Sequence, residues 1–166
     1  MEAFRAGLRD FGYAEGENII IEFRWAEGKY DRLPDLAKEL VRLKVDVLVT
    51  HGTPGGFAAK RATATIPIVM AVIGDAIGTG LVPSLARPGG DITGSSFLNP
   101  ELTAKWLELI KETVPVAEAA VLINPVNASN GPILQTIQNL ANSMKISLRK
   151  FEARRPNEFD ATFSPR

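Results

Sequence analysis

Residues 45–73, VDVLVTHGTPGGFAAKRATATIPIVMAVI, decide the fold. VDVLVT (45–50) is a continuous apolar run of the kind found in strands buried on both faces, and IPIVMAVI (66–73) is a second. Between them Thr53-Pro54-Gly55-Gly56 opens a short helix through about Thr63, with proline in the first turn, where a missing N–H costs little. Strand, helix and strand in this order predict a parallel sheet with right-handed crossovers.

The same alternation extends both ways. Toward the N-terminus, Leu33, Leu36, Ala37, Leu40 and Val41 share one helical face, and Asp31 is placed to cap that helix. NIIIEFR (18–24) reads as a strand because it is β-branched and partly alternating. Phe4, Leu8 and Phe11 give residues 2–11 an amphipathic helix that Gly12 stops. Toward the C-terminus, residues 75–86 form a glycine-rich loop passing into a short helix. Arg87-Pro88-Gly89-Gly90 is a tight turn, and 92–97 a strand. A longer helix runs from Pro100 to Pro115 with Leu102, Trp106, Leu109, Ile110 and Val114 along it. Strands at 119–123 and 146–151 bracket a helix over 131–144, and 157–163 begins another. The fold class is therefore α/β, with doubly wound parallel sheets. The domain boundary is expected near 97–101, dividing the chain into units 1–98 and 99–166.

Composition narrows the function. In 166 residues, 19 basic side chains balance 19 acidic ones, so there is no electrostatic reason to expect nucleic acid or an anionic membrane as partner. The chain has no cysteine, which excludes disulfides and thiolate metal sites. No apolar run reaches the ~18–20 residues of a membrane span. The opening residues lack a basic head followed by an apolar block, so no leader is visible.

In doubly wound sheets, ligands bind beyond the carboxyl ends of the strands, which selects three loops. The first is Thr50-His51-Gly52-Thr53-Pro54-Gly55-Gly56. Its glycines let backbone N–H groups approach a ligand, the following helix N-terminus favours a carboxylate or phosphate, and Thr50 and Thr53 add hydroxyls. The plainer alternative is that glycine and proline only make the turn. In the second loop Asp75 directly follows an apolar strand, where its carboxylate can pair with an amino group or merely cap a helix. In the third, Asn124 and Asn127 offer amides that donate and accept, suited to a polar solute or to capping. Thr93–Ser96 lines the same cleft.

Signatures of catalysis are missing from the sequence. Gly78-Thr79-Gly80 runs on to Pro83 where a dinucleotide fingerprint needs glycine, and there is no P-loop, GxSxG or CxxC. With His51 the single histidine, neither a Ser-His-Asp triad nor a multi-histidine metal site can be assembled. Glu15 and Glu17 flank a turn glycine and read as solvated. The inventory reads as binding without chemistry, with no catalytic residue, metal or cofactor. Trp106, in line with Leu102 and Ile110, reads as core packing; Trp25, at a strand end, is left open.

EGENIIIEFRWAEGKYDRLPDLAKELVRLKVDVLVT (15–50) and GTPGGFAAKRATATIPIVMAVIGDAIGTGLVPSLARPGGDITGSS (52–96), followed by WLELIKETVP (106–115) and AVLINPVN (120–127), resemble the ABC transporter substrate-binding proteins with a type I periplasmic-binding-protein fold. The resemblance implies two Rossmann-like lobes that close on a small solute such as an amino acid or related carboxylate, outside the cytoplasm, and that then meet a membrane permease. By position it implies that Thr50, Gly52 and Thr53 hold a carboxylate end. Asp75 faces the solute from the next loop, and Asn124 and Asn127 approach from the other lobe. Members of this family carry a leader and a first strand before the opening helix, and continue well past residue 166. The expectation is thus an N-lobe without its first strand and an incomplete second lobe, which self-associates or is marginally stable. The alternatives are an effector-sensing domain of a regulator, an inactive fragment, or an enzyme acting on a phosphorylated small molecule at the 52–56 loop. The first of these would need a helix-turn-helix and a basic face that the sequence lacks.

Overall fold

A computed structural model describes residues 1–96, 100–114 and 118–163. Its elements are α1 (Glu2–Asp10), α2 (Leu33–Arg42), β1 (Leu48–His51), α3 (Thr53–Ala62), β2 (Ile68–Ile73) and β3 (Ile92–Ser96). They are followed by α4 (Pro100–Thr113), β4 (Glu118–Ile123), α5 (Asn130–Ser143), β5 (Ser147–Glu152) and α6 (Phe159–Phe163). The strands form two separate parallel sheets, ordered β1-β2-β3 and β4-β5. This is the α/β architecture that the alternation implies. The expected domain boundary at 97–101 falls partly on residues outside those described.

Register explains where the core sits. Leu48 pairs with Ile68 and Ile68 with Ile92, so three buried side chains form a row across the first sheet. Met70, Ile73, Ala76, Leu81 and Val82 extend that row into one cluster with Ala59 of α3, and Leu40, Val41, Val45, Phe57 and Ile66 pack against it. α3 covers the sheet and α2 packs on α3. No helix among the described residues is long and apolar enough to cross a membrane.

Five expectations are corrected. Residues 18–24 are not a strand: Asn18 ends a turn, Ile19 makes one isolated bridge to Glu15, the rest has no regular structure, and Ile20 is 83% exposed. A strand exists only through a neighbour, and among the described residues β1 pairs only with β2. Side chains hold the segment instead. Arg24 Nε donates to Glu39 of α2 at 3.0 Å, Phe23 and Trp25 stack with centroids 6.0 Å apart, and the Arg5 guanidinium sits 5.3 Å from the Phe23 ring centre. Asp31 does not cap α2. It lies inside a 3-10 turn (Tyr30–Arg32) whose backbone leads directly into the helix, with Leu33 N–H donating to the Tyr30 carbonyl. No helix forms within 75–86, where turns lock through Thr79 N to Asp75 O (3.1 Å) and Val82 N to Ala76 O (3.1 Å).

The strands are not buried on both faces either, for Val49 is 46% and Val72 39% exposed. α3 shields one side of this sheet. Finally, Trp106 is 53% exposed and is not core; on α4 it is Thr103 and Leu107 that are buried.

Candidate functional site

The carboxyl ends of β1, β2 and β3 lie side by side because these strands are parallel neighbours. The loop after β1 begins with an irregularity: the β1–β2 register slips between Thr50 and His51. Gly52 then adopts φ +77°, a left-handed conformation that side chains resist. Its N–H donates to Val72 O at 2.8 Å, and its carbonyl accepts from Gly56 N at 3.1 Å, which starts α3. Helix geometry leaves the N–H groups of Thr53 and Gly55 without an intrahelical acceptor, and Pro54 has none to lose.

The two glycines that follow serve packing. A Cβ on Gly55 would overlap the Thr50 hydroxyl, and one on Gly56 would come within 2.7 Å of Ile73 Cδ1 and 2.9 Å of Leu81 Cδ2. The first turn of α3 can therefore lie directly on the strand ends. That supports the plainer reading for Gly55 and Gly56, and leaves Gly52 as the residue that aims the helix.

Two hydrogen bonds tie the three strand ends together. Thr53 Oγ1 donates to Gly74 O at 3.3 Å, joining the ends of β1 and β2, and Ala76 N–H donates to Ser96 Oγ at 3.1 Å, joining those of β2 and β3. Thr53 is only 1% exposed, so its hydroxyl is committed to the staple. Asp75 shapes the middle loop: Oδ1 accepts Gly78 N–H at 2.7 Å, and its backbone carbonyl accepts the Thr79 hydroxyl at 2.8 Å. Its side chain is half-buried, and there is no helix for it to cap. Lys60 reaches across from α3 to Leu81 O at 2.7 Å, a contact with no signal in the sequence because 21 residues separate the partners.

Thr50, Gly52, Thr53 and Asp75 thus share one sheet edge, with Ser96 of the 93–96 segment beside them. Asn124 and Asn127 follow β4 in the second sheet, where both amides already hold hydrogen bonds within the protein. Asn124 Oδ1 accepts Val126 N–H at 3.0 Å and its Nδ2 donates to Arg154 O at 3.2 Å; Asn127 Oδ1 accepts the Ser129 hydroxyl at 2.7 Å. Asn130, which sequence reasoning passed over, donates to Asn124 O at 2.6 Å and closes the loop.

Other features compete poorly. A hollow of about 260 Å³ between α1 and residues 13–21 is lined by Arg5, Arg9, Tyr13 and Ile21. Arg5 already pairs with Glu15 at 2.6 Å and Arg9 with Glu2 at 3.2 Å, so neither charge is spare. The hydrogen bond to Glu15, reinforced by its charge, raises the Arg5 pKa above its ordinary value; Glu108, then Glu112, do the same for Lys105 on α4. No group of three His, Asp or Glu among the described residues is placed to hold a metal ion.

Comparisons with known proteins converge. A family described as ABC transporter substrate binding protein matches residues 1–165. The tyrosine-binding protein of Clostridioides difficile is 35% identical over 133 residues, which are 80% of this chain and 38% of that protein. The crystal structure of a conserved domain protein from Vibrio cholerae superposes with a TM-score of 0.90 at 32% identity, covering 97% of this chain and 54% of the other. An ABC domain from Streptococcus pneumoniae in complex with L-Trp superposes at 0.87 with 29% identity and the same two coverages. The chain therefore spans about half the length of these solved relatives, and less of the curated one.

Proposed function

This chain belongs to the ABC transporter substrate binding protein family, and from that premise we propose that it forms the solute-capturing part of an ABC transporter. It works outside the cytoplasm, without catalysis or cofactor, and hands its solute to a membrane permease. The lobes are residues 1–98 and the start of a second from 99, a division supported by the two separate sheets. The solute is a small polar molecule such as an amino acid. Relatives described as binding tyrosine and in complex with L-Trp favour an aromatic one.

The observation that carries this reading is the stapled carboxyl edge, where the α3 N-terminus and Asp75 offer opposite chemistry on adjacent loops. N–H groups of Thr53 and Gly55 suit a carboxylate, with Thr50 and Gly52 framing them. The second carboxylate oxygen of Asp75, which accepts no hydrogen bond among the described residues, suits an ammonium group. Asn124 and Asn127 approach from the second lobe with the remaining amide valences.

Calorimetry with L-tryptophan and L-tyrosine tests it. Binding is expected, and Asp75→Asn should weaken it about ten- to hundredfold, since a charge-assisted hydrogen bond contributes ~1.5–3 kcal/mol. Asparagine retains an oxygen for Gly78 N–H, so the turn survives. Affinity for a matched carboxylate lacking the amino group should stay unchanged. Thr53→Val should instead cost about 1 kcal/mol of stability through loss of the staple. Absence of binding to any small solute, with turnover of a phosphorylated one, would favour the enzyme alternative.

A further inference from the structure

Two glycines in the loop after β2 are glycines for different reasons. Gly80 has φ +73°, which a side chain resists, and nothing lies within 4 Å of the place its Cβ would take. Gly78 is the reverse case. Its φ lies outside the left-handed region, so the backbone itself would accept an alanine. The obstacle is one side chain: a Cβ there would overlap Asp75 Oδ2 and come within 2.7 Å of Asp75 Cγ and 3.1 Å of Oδ1. Gly78 also gives its N–H to Asp75 Oδ1 at 2.7 Å. The carboxylate therefore rests against a residue that has no side chain to push it away.

The main chain around this contact has little freedom to yield. Gly74 O accepts the Thr53 hydroxyl at 3.3 Å, and Asp75 O accepts Thr79 N–H at 3.1 Å and the Thr79 hydroxyl at 2.8 Å. Ala76 is fully buried, with its N–H held by Ser96 Oγ at 3.1 Å and its carbonyl by Val82 N–H at 3.1 Å. With the backbone tied at these points, what remains free at Asp75 is rotation of its side chain. Gly78 sets that rotation, by the bond it donates and by the Cβ it lacks. We propose that Gly78 is a positioning residue of the binding edge. It fixes the direction in which Asp75 presents its second oxygen, and so decides whether the edge favours solutes that carry an ammonium group over those with a carboxylate alone. The inference rests on the pairing of Asp75 with an amino group proposed above, and assigns that selectivity to a residue without a side chain.

Calorimetry with L-tryptophan and with indolepropionate, the same molecule without its amino group, tests it. Gly78→Ala should turn the carboxylate away and weaken L-tryptophan about ten- to hundredfold, as for Asp75→Asn, while indolepropionate binds as before. In an Asp75→Ala background the same substitution should change L-tryptophan affinity by less than about twofold, because no carboxylate remains to be turned. Thermal melts separate positioning from folding. The atoms in the way are the end of a half-buried side chain, and alanine also restricts the unfolded chain. Gly78→Ala should therefore shift Tm by less than about 2 °C, whereas Gly80→Ala should lower it by about 2–4 °C and leave the ratio of the two affinities unchanged. The proposal is overturned if Gly78→Ala leaves that ratio where it was, or if its effect persists without the Asp75 carboxylate. It is overturned equally if Gly78→Ala melts below Gly80→Ala, for then the turn gives way instead of the side chain. A protein that responds to Asp75→Asn but ignores Gly78→Ala sinks this inference alone. One that binds neither ligand, or binds L-tryptophan without regard to Asp75, removes the reading beneath it as well.

Discussion

Gly94→Ala is expected to destabilise the β1-β2-β3 unit by about 3 kcal/mol or more, from backbone strain and overpacking together. Gly94 sits in β3 opposite Met70, at φ +139°, where side chains are rarely found. Its added Cβ would meet the Met70 carbonyl oxygen, with the Met70 N at 2.6 Å and C at 2.8 Å. These are backbone atoms of the central strand, so relief requires separating β2 from β3. Gly80→Ala makes the contrast: φ is +73°, yet nothing lies within 4 Å, so about 1 kcal/mol is expected. Urea denaturation followed by far-ultraviolet circular dichroism measures both. Equal midpoints for the two variants would mean that the β2–β3 contact is not as close as described.

The second large effect is expected at Leu81→Ala, with a loss of roughly 2–5 kcal/mol from transfer and cavity terms together. Leu81 is 1% exposed and lies over Gly56, while Lys60 holds its carbonyl from the other side. A residue from a run of turns thereby closes the core between α3 and the end of β2. Leu85→Ala, at 59% exposure, should stay within about 0.5 kcal/mol of the parent protein. A small effect at Leu81 in the same melts would show that residues 75–82 are a loose cover.

What could be read from the sequence was whatever depends on local pattern. The parallel strands and the helices between them announced themselves by period and by composition, and the first candidate loop followed from its place after β1. What escaped depends on neighbours. NIIIEFR has the composition of a strand, but composition does not reveal whether a second strand stands beside it. Leu102, Trp106 and Ile110 show that α4 has an apolar side, and nothing in their spacing says whether that side is covered. Leu81 and Val82 are apolar because the core needs them, and they mimic a helix without forming one. At the candidate site, Asp75 was legible from its position, but its bond to Gly78 and the tie from Ala76 to Ser96 arise only on folding. The same holds for the amides of Asn124 and Asn127, whose bonds, one of them to Arg154 beyond β5, depend on the path of the chain around them.

The staples across the carboxyl edge bear on timing and entropy. Segments joined by Thr53–Gly74 and Ala76–Ser96 lose their freedom when the sheet assembles, before any visitor arrives. A molecule docking there need not freeze the loops one by one, so less of its contact energy is lost to ordering them.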